Sequence, residues 1–281
     1  MTIQAPAKVN LVLRILGRRA DGYHDIETLM VPVKLYDEMD IEVSEGSGTV
    51  LECDEADIPT GPDNLVCRAV EVFQKHTGLR FHTRIALKKH IPSGAGLGGG
   101  SSDAAAVLKA LDQLHETRLG SKTLEALAGM IGSDIPFFIR CRPAVCRGRG
   151  EVMQGADGIL PARILLVKPP FPVSTGWAYQ AWDPDRRASS VRQTHGGIEL
   201  VNDLEDPVFE KFLLLPAVKS WLLEQEEVAA AMMSGSGSTM FAILRGDAGP
   251  LAHRAKTRFG PRLWTAETEI GWPAKHAEGL K

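Results

Sequence analysis

The chain has 281 residues and a formal net charge of -3, with 44% apolar and 24% charged residues. This is the balance of a soluble globular protein, and it excludes disordered, collagen-like and membrane-spanning chains. With no basic excess and no run of Lys and Arg interleaved with aromatics, nucleic acid is excluded as a partner; the length calls for two domains, expected at 1–157 and 158–281.

The first segment is a short apolar stretch interrupted by Lys8, Asn10 and Arg14. It has no basic lead or small-residue cleavage site and does not read as a signal peptide. Residues 8–15 alternate as a strand, with Val9, Leu11, Leu13 and Ile15 on one face and Lys8, Asn10, Val12 and Arg14 on the other. Two further strands are expected at 26–33 and 39–44, and another at 80–88, where Phe81, Thr83, Ile85 and Leu87 alternate with polar or small residues. Between them, Asp63 is placed to cap a helix carrying Val66, Ala69, Val70 and Phe73 on one side, and Gly78 to end it.

A helix over 101–114 follows, with Ala104, Val107, Leu108, Leu111 and Leu114 at helical spacing, and then a helix over 121–131. Past Gly158 the pattern restarts with a strand at 163–168, helical stretches to about residue 226, and a strand, helix, strand series ending near Ile270. Residues 183–197 are polar without an apolar period and read as a surface loop. The fold class is therefore α+β. Four cysteines without a CxxC pair or histidine spacing signal neither a disulfide framework nor a zinc site, and fit reduced thiols in a cytoplasm.

Chemistry concentrates in PSGAGLGGGSSD, between the strand at 80–88 and the helix beginning at Ser101. Unpaired N–H groups at a helix start bind anions, and glycines admit backbone next to phosphate and allow positive φ. Ser101 and Ser102 offer hydroxyl donors or a ligand for Mg²⁺. A flexible capped connector is the rival reading, disfavoured by the entropy lost in ordering six glycines. Gly94, Gly96 and Gly99 formally match GxGxxG. A dinucleotide fold, however, needs a strand ending in an acidic residue about 20 positions on, and here that distance falls in or just past the helix. No Lys precedes the serines, so this is not a Walker A loop. A nucleotide-sensing module without catalysis is the alternative from another class.

At these residues the chain resembles the small-molecule kinases that include galactokinase, homoserine kinase, mevalonate kinase and phosphomevalonate kinase. Within them it is similar to the branch acting on a cytidine-diphosphate-linked methylerythritol. The matching stretches are PAKVNLVL at 6–13, RADGYH at 19–24, PSGAGLGGGSSD at 92–103, GSDIPFF at 132–138 and SGSGSTMF at 234–241. The resemblance implies a two-domain α/β sandwich with its active site in the interdomain cleft, ATP and Mg²⁺ as cofactors, a small-molecule partner, and a monomer or weak homodimer.

It also implies roles. Pro92, Gly94, Ala95, Gly96, Leu97, Gly98, Gly99, Gly100, Ser101 and Ser102 would hold the nucleotide phosphates, with Asp63, Asn64 and Lys89 on the adenine side. Asp134 would orient the acceptor 2-hydroxyl and take its proton late, and Lys8 beside it would keep Asp134 ionised. Tyr23 would stack on cytosine, His24 would hydrogen-bond its polar edge and Tyr179 would close the other face. Asn10 would bind substrate, while Gly235 and Gly237 would approach its diphosphate. Rival readings stand beside these: a helix N-cap for Asp134 ahead of Pro136, a solvated strand lysine for Lys8, capping for Asp63, an amphipathic-helix position for Tyr179 and a tight turn for the late glycines. Asp103 departs from the pattern, since its charge would repel a nearby phosphate, and it is expected to point away from the nucleotide.

Overall fold

The computed structural model describes residues 1–185 and 193–271. Among these, twelve strands form one continuous sheet, whose main path runs β10-β11-β7-β12-β2-β1-β9-β8, with β3, β4, β5 and β6 attached around β2. The strands are β1 (Thr2–Arg18), β2 (His24–Ser44), β3 (Gly48–Cys53), β4 (His82–Lys88), β5 (Ala144–Gly148), β6 (Val152–Gly155), β7 (Ala162–Lys168), β8 (Gln193–His195), β9 (Ile198–Asn202), β10 (Val228–Met233), β11 (Met240–Leu244) and β12 (Trp264–Ile270). The helices are α1 (Leu65–Thr77), α2 (Gly99–Leu114), α3 (Gly120–Ile131), α4 (Ile135–Arg140), α5 (Thr175–Ala181), α6 (Glu205–Lys211), α7 (Leu214–Leu223) and α8 (Leu251–Phe259).

Alternation along the strands assigns the cores. In β7, Leu165 and Val167 face the cluster under α5 to α8, whereas Ile164 and Leu166 face a second cluster with Val9, Leu11, Val31 and Val33. A third cluster lies under α1 to α4, with Phe73, Leu108, Phe137 and Phe138 among its largest members. Period-two strands buried on both faces let one sheet serve all three.

The strands expected at 26–33 and 39–44 are a single strand, β2, because β1 pairs with it from Arg18↔His24 to Thr2↔Asp40 and bulges absorb the irregularity between. One bulge matters for function. Between Asn10 and Val12 the register slips by one residue, which breaks the expected alternation: Leu11 and Val12 join Val9 in one cluster, and Leu13 turns with Lys8 and Asn10 towards the cavity described below. The cap of α1 is Asn64, not Asp63; its Oδ1 accepts from the Val66 N–H at 2.8 Å. Of the segment 183–197 expected as a loop, 186–192 lie outside the described residues, while Gln193–His195 form β8 in a hairpin with β9. β9 in turn pairs parallel to β1 at Val12 and Leu13.

Candidate active site

Leaving β4, the chain passes through Gly94, Gly96 and Gly98 at φ +60°, +75° and +73°, a conformation that turns successive N–H groups towards one concavity. Gly98 caps α2 without a side-chain hydrogen bond, so the N–H groups of the first turn remain for an anion, and α2 starts two residues before the expected Ser101. Pro92, Gly94, Ala95, Gly96, Gly98, Gly99, Gly100 and Ser101 line a cavity of about 840 Å³. Leu97 and Ser102 do not line it. Leu97 is buried in the core, and its carbonyl accepts from the Lys8 backbone N–H at 3.0 Å. The Ser102 Oγ is buried at the helix start with no partner.

A second glycine turn backs onto the first. Ser234 Oγ donates to the Gly96 carbonyl at 3.0 Å, and a Cβ on Gly96 would fall 2.0 Å from the Ser234 carbonyl oxygen, so only glycine fits. Gly235 lines the cavity, with a Cβ position 3.3 Å from Lys8 Nζ and from Asn10 Oδ1. Gly237 does not line the cavity: it packs on Met233 and donates to Ser234, as a turn residue does.

Lys8 is buried, and its Nζ donates to Asn10 Oδ1 at 2.6 Å and to the Gly96 carbonyl at 2.8 Å. Asn10 Nδ2 donates to Thr28 Oγ1, which donates to the Val12 carbonyl, each at 2.7 Å. Asn10, expected at the substrate, lines the cavity and also positions Lys8. Burial holds the Lys8 pKa below its ordinary value, and the nearby Asp134 charge opposes that shift. The two form no ion pair, so the lysine fixed beside Asp134 acts on it through space. Asp134 stands at the N-cap position of α4 but makes no capping hydrogen bond, which leaves its carboxylate facing the cavity, near Gly150. Cys146, in the core behind the site, feels the charges of Asp134 and Lys8; burial pushes its thiol up to about 12, Asp134 adds to the shift, and at neutral pH it stays an uncharged thiol.

At the cavity mouth His24 is buried, its Nε2 without a partner, with Tyr179 at 5.5 Å and Trp182 edge-on at 5.8 Å between ring centroids. Burial lowers the His24 pKa, assisted by Arg18, so the ring is a neutral donor and acceptor suited to a heterocycle edge. Burial raises the Tyr179 pKa, and Asp134 adds to it. Tyr23 is exposed, and the Arg149 guanidinium lies over its ring at 5.0 Å. Arg149 carried no sequence signal, because the tip of the β5–β6 hairpin reaches the cavity only in the fold.

Asn64 and Lys89 also line the cavity, but their polar groups serve the protein. Asn64 Nδ2 donates to the Pro59 carbonyl at 2.7 Å in addition to capping α1. Lys89 Nζ donates to Asp103 Oδ2 at 2.8 Å and to Asp37, and Asp37 Oδ1 accepts from the backbone of His90 and Ile91 at 2.6 and 2.8 Å. Asp103, expected to point away from the nucleotide, instead lines the cavity beside Ser101, with its charge engaged by Lys89. Burial lifts its pKa to about 7, with Lys89 opposing and Asp37 adding. No group of three or more His, Cys, Asp or Glu side chains that could hold a metal occurs among the described residues.

The chain matches the models for the GHMP kinases N terminal domain at residues 64–142 and GHMP kinases C terminal at residues 189–261. It is 40% identical to a 4-diphosphocytidyl-2-C-methyl-D-erythritol kinase of Methylacidiphilum infernorum (isolate V4), over 95% of each chain. A crystal structure of 4-(cytidine 5'-diphospho)-2C-methyl-D-erythritol kinase superposes with a TM-score of 0.81 at 35% identity, covering 96% of this chain and 100% of that one. The mevalonate kinase of Methanococcus jannaschii shares the fold, with a TM-score of 0.68 at 12% identity over 96% and 98% of the two chains.

Proposed function

Because the chain belongs to the GHMP kinase family, and within it to the 4-diphosphocytidyl-2-C-methyl-D-erythritol kinases, we propose that it transfers the γ-phosphate of ATP to the 2-hydroxyl of 4-diphosphocytidyl-2-C-methyl-D-erythritol, in cytoplasmic isoprenoid precursor synthesis by the non-mevalonate route. The observation that carries this reading is one cavity holding a helix-start glycine loop, Asp134 and the Tyr23, His24 and Tyr179 rings. No helix among the described residues is long and apolar enough to cross a membrane.

Phosphoryl transfer asks mainly for positioning and charge stabilisation. The loop from Gly94 to Ser101 presents N–H groups to the β- and γ-phosphates. Asp134 orients the acceptor hydroxyl and takes its proton late, since a carboxylate is too weak a base to ionise an alcohol in advance. Lys8, desolvated and held by Asn10 and Gly96, stabilises charge on the transferring group. Mg²⁺ bound with ATP would neutralise phosphate charge; it needs few protein oxygens, and the Ser101 hydroxyl, on the cavity wall at the helix start, fits that demand. His24 reads the polar edge of cytosine through its unpartnered Nε2, with Tyr23 and Tyr179 on the ring faces. Of the two parts of the chain, 1–157 would contribute the nucleotide side with Asp134, Tyr23 and His24 on the acceptor side, and 158–281 would add Tyr179 and Gly235.

The test is incubation with ATP, Mg²⁺ and the cytidyl acceptor, with homoserine and mevalonate in parallel, following ADP and phosphorylated product. Product from the cytidyl acceptor alone is the expected result. Product from another acceptor instead would overturn the roles of Tyr23 and His24, and none from any would leave a non-catalytic nucleotide-binding module.

A further inference from the structure

The cavity is lined by three lysine and arginine side chains, Lys8, Lys89 and Arg149. Lys89 is neutralised by Asp37 and Asp103. Lys8 is buried, bound to Asn10 and Gly96, and lies in the field of Asp134. Arg149 is exposed and has no carboxylate within ion-pairing distance among the described residues; its guanidinium rests on the Tyr23 ring. It stands at the tip of the β5–β6 hairpin between Gly148 and Gly150, both at positive φ, and its backbone N–H donates to Glu151 at 2.7 Å. A Cβ on Gly150 would lie 3.6 Å from Asp134 Oδ1. Arg149 thus spans the interval between the ring that would stack on the base and the carboxylate that would meet the reacting hydroxyl.

In a nucleoside-diphosphate-linked alcohol, that interval is occupied by the diphosphate. We propose that Arg149 binds the acceptor's diphosphate and so sets specificity for an acceptor carrying two phosphates rather than one. This rests on the function proposed above. A planar guanidinium suits two phosphate oxygens at once, and charge-assisted hydrogen bonds of this kind are the strong ones. Tyr23 holds the side chain in place by cation–π contact until the acceptor arrives.

The experiment measures CDP and CMP binding by calorimetry, with the ATP site filled by a non-hydrolysable ATP analogue, in wild type, Arg149→Ala and Arg149→Lys. Acceptor and ATP KM values are measured alongside. Wild type should prefer CDP to CMP; Arg149→Ala should weaken CDP binding and raise the acceptor KM, each by about 10–100-fold, with CMP affinity and ATP KM held. Arg149→Lys should recover part of the loss. An equal loss for CMP and CDP would show that the arginine only supports Tyr23, and would overturn the proposal, as would a retained preference. Wild-type turnover with no preference for CDP would overturn it while leaving the kinase reading intact, whereas no binding of either nucleotide and no turnover would overturn both.

Discussion

Replacing Gly96 with alanine tests the contact between the two glycine turns. The new Cβ would stand 2.0 Å from the Ser234 carbonyl oxygen, and ordinary contact begins at 3.4 Å, so the turns must part by about 1.4 Å. Overpacking of this kind costs roughly 1–3 kcal/mol, and a left-handed φ of +75° on a non-glycine about 1–2 more. An unfolding entropy of roughly 2 cal/mol/K per residue converts about 2–5 kcal/mol into a Tm lower by roughly 3–9 °C for a chain of this length. Activity should suffer more than stability, because the Gly96 carbonyl holds Lys8 Nζ, and a displacement near 1 Å at reacting groups costs about 10²-fold. Gly100→Ala is the stability control: its Cβ would meet nothing closer than Leu65 Cδ1 at 3.8 Å, and a helical alanine adds up to about 1 kcal/mol. Thermal melts and steady-state turnover read both variants. A Gly96→Ala protein with the Tm and turnover of wild type would refute the reasoning.

Asp134→Ala should lower kcat by about 10²-fold or more while ATP still binds in calorimetry; unchanged turnover would remove Asp134 from the mechanism. Lys89→Met would leave Asp37 and Asp103 buried without a counter-charge and should destabilise by roughly 3–5 kcal/mol in denaturant melts, whereas a neutral result would mean that the triad is open to water. Asp103 supplies a pH dependence with a definite sign. Its folded pKa of about 7 lies above its ordinary value, so the native state holds more protons than the unfolded one between the two. The stability linked to that proton is therefore present at low pH and lost as the pH rises to about 7. Wild type should lose stability relative to Asp103→Asn from about pH 4 to pH 7, with a level difference above. Parallel curves across that range would contradict the buried, raised carboxyl.

What could be read from the sequence was what local periodicity controls. The α2 pattern of Ala104, Val107, Leu108 and Leu111, the glycine-rich anion loop before it, and the shared face of Lys8 and Asn10 all stand in the structure. Where the reading went astray, a distant partner decided the outcome. Leu13 enters the cavity because a bulge in the pairing of β1 with β2 reverses its parity, which no alternation within β1 reveals. Asp37 is 52 residues from the lysine it binds, and nothing around it marks a buried ion pair. Gly237 departs for a local reason instead, its N–H serving its own turn. Arg149 reaches the cavity because a hairpin tip carries it there. The shared rule is that residue type reports chemistry, while pairing register and long-range burial decide which atoms remain free to perform it.

The fit of Gly96 against Ser234 makes the two turns a fixed caliper. On the proposed function the jaw beside α2 would receive the donor's phosphates and the jaw after β10 would face the acceptor, and their spacing is set by the Ser234 carbonyl oxygen against the Gly96 backbone, with the Ser234 hydroxyl pinning the Gly96 carbonyl. Such an instrument measures the same gap in every catalytic cycle. Whatever opens to admit the substrates can move the rim, where Tyr23 and Arg149 stand, without resetting the distance over which the phosphoryl group must travel.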